Sequence, residues 1–223
     1  MGRVASISGM TGGPSAARGG VSAPRPYHLG NVRRRLLDAA RRILEAEGRD
    51  KLHLRAIASL TGVSAPTVYY HYADKQALLA ALALEGFADL RDALEGADGG
   101  LTGGPGLGAV SGAYLDFVQA HPALYRLMYE IRDGQPPQAV VDAEDEALEA
   151  LRRSVRAAMA GKGDAESAAE ALWAFGRGAA AVSLSRRGPG LRAGYPRILA
   201  ALALFDIARL TTGPAAAWLG QLM

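Results

Sequence analysis

The segment LRAIASLTGVSAPTVYYHYADKQALL, residues 54–79, limits the possible folds more than any other stretch of the chain. Ile57 and Ala58 belong to a short apolar-periodic run, Gly62 follows four residues after Ala58, and Val63 and Val68 are the next apolar points. That spacing is a helix-turn-helix. Ala58 is small enough to let two helices approach, and Gly62 can adopt the positive φ that a tight turn between steeply crossed helices needs. Ser64 is placed to cap the second helix, and Pro66 falls in its first turn, where a missing N–H costs nothing.

A pair of crossed helices needs a third to pack on. Val32, Leu36, Ala39, Ala40, Ile43 and Leu44 recur with helical period, with Asn31 as the expected cap and Gly48 as the stop. A fourth helix is expected from Asp74 to about Glu95. Beyond a glycine-rich run at 96–108, helical segments are expected at about 107–120, 122–132, 138–160, 165–186 and 194–212. No stretch alternates with a period of two between hairpin turns. The chain therefore reads as all-α, with about nine helices. The expected organisation is a leader at 1–30 that is disordered, a helix-turn-helix domain at 31–79, a larger helical domain at 80–212 and a tail at 213–223.

Charge divides along the same line. Residues 1–75 carry 12 basic and 5 acidic side chains, whereas residues 76–223 carry 13 and 17. The net +3 therefore hides a basic head on an acidic body, and nine of the head's 12 cations lie between Arg33 and Lys75. Such a head suits a polyanion. The chain has no Cys, which removes disulfides, thiolate zinc sites and thiol catalysis. Apolar runs such as 78–84 and 198–205 fall short of a membrane span, and residues 1–10 lack a signal-peptide core. The expectation is a soluble cytoplasmic protein with no membrane partner.

In a helix-turn-helix the second helix enters the major groove of DNA. Ser64, Ala65, Pro66 and Thr67 are small and allow close approach; Thr67 carries a hydroxyl and a methyl, and the methyl could meet a thymine methyl. Tyr69, Tyr70 and His71 have polar tips suited to phosphates. Tyr72 follows Val68 by four and reads as core. Lys75 is expected on a phosphate, and Arg55 on backbone or guanine. Arg33, Arg34 and Arg35 read either as phosphate contacts or as a solvated helix face. Arg18 and Arg25 could enter a minor groove.

Residues 33–79, and above all TGVSAPTVYYHYADKQALL, resemble the DNA-binding domain of TetR-type (tetracycline-repressor-type) regulators. The resemblance places DNA contacts on Arg55, Ala65, Pro66, Thr67, Tyr69, Tyr70, His71 and Lys75. His53 departs from it, standing where the family commonly has a capping Thr. HPALYRLMYE at 121–130 and LWAFGRG at 172–178 resemble the subgroup with a WHG-like C-terminal domain. The resemblance implies a homodimer, a near-palindromic double-stranded operator and a small-molecule effector, with repression the expected mode.

For the body, Tyr114, Phe117, Tyr125, Met128, Tyr129, Trp173 and Phe175 are candidates to line an effector pocket; singly, each reads equally as core. Arg126, Glu130 and Arg177 are candidate anchors. Ala168, Leu172, Phe175, Ala179 and Val182 form one helix stripe, and Ile198, Leu202, Phe205 and Arg209 another. From these, Leu172, Ala179, Val182, Ile198, Leu202 and Phe205 are assigned to the dimer interface that the resemblance implies; the alternative is packing within the monomer. His28, His53, His71 and His121 are scattered, so no metal site is expected. No cofactor is expected either. The glycine run has no preceding strand and no Gly-Lys-Ser/Thr ending, so it reads as an interdomain linker. Neither G-x-S-x-G nor H-E-x-x-H occurs, which leaves an enzyme or an interaction protein without DNA binding only as alternatives.

Overall fold

A computed structural model describes residues 29–98 and 104–185. Among them are eight α-helices, one 3-10 turn and no strand. The helices are α1 (Leu29–Glu47), α2 (Leu54–Thr61), α3 (Ala65–His71), α4 (Lys75–Asp98), α5 (Gly104–Ala120), α6 (Pro122–Arg132), α7 (Gln138–Met159) and α8 (Ala165–Ser183), with the 3-10 turn at Arg49–Lys51. The expected leader, the last expected helix at 194–212 and the tail lie outside the described residues. So do Ile198, Leu202 and Phe205.

The head follows its sequence pattern closely. Val32, Leu36, Ala39, Ala40, Ile43 and Leu44 are buried on one face of α1. Ile57, Val68 and Tyr72 are buried against them, and Val63 packs at the edge. Gly62 adopts φ 67°, the left-handed conformation expected of it, and ends α2. The Ser64 hydroxyl accepts from the Thr67 N–H, and the Asp74 carboxylate accepts from the Ala77 N–H at 2.7 Å. Both expected caps are therefore formed. His53 precedes α2 without a side-chain capping bond. Two boundaries differ: α1 begins at Leu29, so Asn31 lies inside the helix instead of capping it, and α4 runs on to Asp98.

α4 is the axis of the molecule. It packs on α1 in the head and on α5, α6 and α7 in the body. Leu78, Leu79, Leu82, Phe87, Leu90 and Leu94 are buried, with Ala81 and Ala83 between them. A helix covered on several sides loses its polar stripe, and that is the pattern in LLAALALEGF. The boundary expected at 79/80 falls within this continuous helix, and one apolar cluster runs from Val32 to Ala180.

The glycine-rich run is not the linker that its composition suggests. Its first residues end α4 and its later ones open α5, three residues earlier than expected. Only 99–103 remain between two helices that pack on each other, both within the body. Glycine lowers helix propensity by about 1 kcal/mol per residue, and tertiary packing overrides that here.

Candidate functional site

The outer face of α3 is built from small residues and aromatics that the protein does not cover. Ser64, Ala65 and Pro66 are exposed and Thr67 is half-buried, while Tyr69 and Tyr70 are 47% and 76% exposed. Val68 and Tyr72 hold the helix from below; the Arg33 guanidinium lies 5.7 Å from the centre of the Tyr72 ring. His71 is half-buried, its ring edge-on to Tyr70 at 5.3 Å, and its Nε2 has no hydrogen-bond partner. Arg55 is exposed at the start of α2. Seven of the nine residues assigned to DNA contact thus share one exposed surface or its margin.

Lys75 and Arg35 have work inside the protein. Lys75 Nζ donates to the Arg49 carbonyl at 3.1 Å, tying the start of α4 to the 3-10 turn. Arg35 donates to the Thr61 carbonyl at 2.9 Å, meeting an otherwise unpaired carbonyl at the end of α2. Arg34 pairs with Asp38 one turn on.

In the body, Tyr114 of α5, Tyr125 and Tyr129 of α6 and Trp173 of α8 converge. Tyr114 lies edge-on to Tyr125 at 6.1 Å and to Trp173 at 5.5 Å, and the Tyr114 and Tyr125 hydroxyls are 2.7 Å apart. Gly176 makes room: a Cβ there would stand 3.3 Å from the Tyr114 ring. Trp173 Nε1 donates to the buried Glu144 carboxylate at 3.2 Å, and Arg132 faces the same carboxylate at 2.5 Å. Arg177 lies over the Tyr129 ring at 4.1 Å and donates to both oxygens of Asp133, at 3.0 and 2.8 Å. Burial pushes the Tyr125 phenol up to about 12 and holds Tyr114 and Tyr129 well above the usual tyrosine value.

The seven pocket candidates do not share one cavity. Tyr114 and Trp173 border a small, partly open void of about 20 Å³ with Leu94, Val110, Ser111 and Leu151. Phe117 instead lies on an open groove of about 470 Å³ between α4 and α5, beside Asp89, Asp92, Asp116 and His121. Tyr125, Met128 and Tyr129 are buried, and Phe175 is half-buried. On α8, the residues facing inward are Ala168, Ala169, Trp173, Gly176 and Ala180, so Ala168 of the expected stripe packs within the monomer. The opposite side exposes Ala171, Ala174, Gly178, Ala181 and Val182, while Leu172 and Ala179 lie between the two.

Two glutamates escaped the sequence reading. Glu45 of α1 accepts from the backbone N–H groups of Ala123 and Leu124, at 3.1 and 3.0 Å, and so caps α6 from 78 residues away. Arg49 pairs with Glu130 farther along α6. The one available hint was that α6 begins at His121-Pro122, with no local capping side chain. Glu144 left a clearer trace, since it interrupts the apolar stripe Val140, Ala147, Leu148 and Leu151.

Residues 36–82 match the model of bacterial regulatory proteins of the tetR family, and residues 107–203 that of the tetracyclin repressor-like C-terminal domain. An HTH-type transcriptional repressor of Mycobacterium tuberculosis is 41% identical over 58 residues, 26% of this chain and 31% of that protein. An uncharacterised HTH-type transcriptional regulator of Bacillus subtilis is 29% identical over 97 residues, 44% of this chain and 51% of that one. The chain thus spans about a third of one curated relative and half of the other. Among solved structures, a Rhodococcus sp. RHA1 protein of unknown function is 35% identical, with a TM-score of 0.69 over 80% of this chain and 95% of that one. A regulatory protein in the tetR family from Rhodococcus RHA1 is 26% identical, with a TM-score of 0.58 over 75% of this chain and 94% of that one.

Proposed function

The chain belongs to the tetR family of bacterial regulatory proteins, which bind DNA, and on that premise we propose a transcriptional repressor released by a small molecule. The observation that carries this reading is the uncovered outer face of α3. A large aromatic such as Tyr70 at 76% exposure, among small side chains and cations, gains contacts only from a partner outside the monomer.

The working form is a homodimer. Two copies of α3 enter major grooves of a near-palindromic operator, about 34–36 Å apart or a multiple of it. The exposed Ala, Gly and Val side of α8 supports an interface there, because small residues allow close helix crossing. Leu172, Ala179 and Val182 contribute from α8, and Ile198, Leu202 and Phe205 from the segment after it. The effector binds in the body and favours a conformer whose two α3 helices no longer match the grooves. A coupling of about 1–3 kcal/mol would lower operator affinity about 5- to 150-fold.

α4 and α6 are placed to carry that change. α4 is continuous from head to body. α6 bears Tyr125 and Tyr129 on one side and is tied to the head through Glu45 and Arg49.

The test is a titration of the protein against the DNA upstream of its own gene at fixed salt. Arg55→Ala and Tyr70→Ala should each weaken binding at least several-fold while leaving the dimer intact by light scattering. Unchanged binding in both variants would remove α3 as the reading surface. A thermal-shift screen for compounds that raise the melting temperature then identifies effectors.

A further inference from the structure

Groove-reading side chains fall into a few chemical types. Arg and Lys pair with guanine, Asn and Gln with adenine, Asp and Glu with cytosine, and apolar groups with the thymine methyl. From Leu54 to His71, Arg55 is the one residue among all of the hydrogen-bonding types just named. None lies on α3.

The remaining polar groups of α3 are partly engaged within the helix or far-reaching. The Ser64 and Thr67 hydroxyls are bonded to each other at 2.7 Å, and Ser64 also accepts from the Thr67 N–H. Tyr69 and Tyr70 end in phenols on long rigid rings, which suit the phosphate walls of a groove. His71 is half-buried against the Tyr70 ring. At short reach this leaves the Ala65 methyl, the Pro66 ring and the Thr67 methyl, with Ala65 and Pro66 exposed. An exposed apolar patch within a cationic head fits a partner that is polyanionic outside and carries methyl groups within. The major groove of DNA at thymines has that chemistry.

We propose that the operator half-site opposite α3 is specified by thymine 5-methyl groups, received by Ala65, Pro66 and Thr67, and that Arg55 supplies the single guanine-reading contact. This rests on α3 being the DNA-reading helix. The half-site is accordingly thymine-rich opposite α3, with any specified guanine displaced toward the side of α2.

The test begins with selection of binding sites by the full chain from a random-sequence duplex library. Each thymine of the selected half-site is then replaced by deoxyuridine, which lacks only the 5-methyl group. Burying one methyl is worth about 0.8 kcal/mol, so each replacement opposite α3 should raise Kd about 4-fold. Deoxyuridine outside the half-sites should have no effect. Thr67→Ser keeps the hydroxyl and its bond to Ser64 and should abolish the response at one position. Selected half-sites specified by guanine or adenine opposite α3, with deoxyuridine tolerated throughout, would overturn the proposal. Failure to enrich any sequence would instead sink the reading of α3 as a DNA-binding element, and this proposal with it.

Discussion

At the scale of single residues, the head and body are joined by a few polar contacts whose partners are distant in sequence. Both oxygens of Glu45 meet free N–H groups at the start of α6. That end of a helix attracts negative charge, and hydrogen bonds to a charged acceptor contribute about 1.5–3 kcal/mol. Glu45→Gln removes the charge and one of the two acceptors, so the urea midpoint should fall by the equivalent of about 1–2 kcal/mol. A midpoint unchanged from wild type would show that α6 does not depend on this cap. The buried tyrosines make a second residue-scale expectation. The phenol of Tyr125 titrates near 12 in the folded chain, against 10.0 when exposed. An unfolded chain therefore loses this proton first as pH rises. The stabilisation is complete below pH 10 and is lost between about pH 10 and 12, with Tyr114 and Tyr129 acting in the same direction. Unfolding free energies from urea titrations at pH 9 and 11 should fall accordingly, and Tyr125→Phe should flatten that slope.

At the scale of helices, the crossing of α4 and α6 depends on a residue too small to obstruct it. A Cβ on Gly86 would stand 2.6 Å from Met128 Sδ and 3.2 Å from Leu124 Cγ, and both of those side chains are fully buried. Beside this crossing the Phe87 and Tyr129 rings meet edge-on at 5.5 Å, an arrangement worth about 0.5–1.5 kcal/mol beyond area alone. Gly86→Val should therefore push α6 away from α4 and cost about 1–3 kcal/mol of stability. If α6 relays the effector signal, the same change should lower operator affinity without touching α3. A variant of wild-type stability would mean that Met128 repacks freely. The helices of the head were legible because each carries its own signals: Ser64 and Asp74 as caps, Gly62 as turn, and Val68 and Tyr72 as inward points. The glycine-rich start of α5 was not legible, because its helicity comes from packing on α4 and not from propensity.

At the scale of the whole molecule, the basic head and acidic body set how binding responds to salt. Each phosphate neutralised should contribute about −0.9 to the slope of log K against log salt concentration. Titrations between low and moderate salt should show a steep fall, and a flat profile would contradict phosphate-dominated binding. Among the described residues no helix is long and apolar enough to cross a membrane. The sequence by itself determined the all-α class, the helix-turn-helix and which side of α3 the protein leaves exposed. Those features rest on local rules, namely helical period, capping chemistry and the left-handed turn, so residues a few positions apart suffice to specify them. The tertiary structure decided what depends on distant partners. It set Glu45 on α6 and Lys75 on Arg49, left only Tyr114 and Trp173 of the body aromatics beside a void of about 20 Å³, and made head and body share one core along α4. No local pattern encodes these contacts, because each joins groups brought within 3 or 4 Å only when the helices pack.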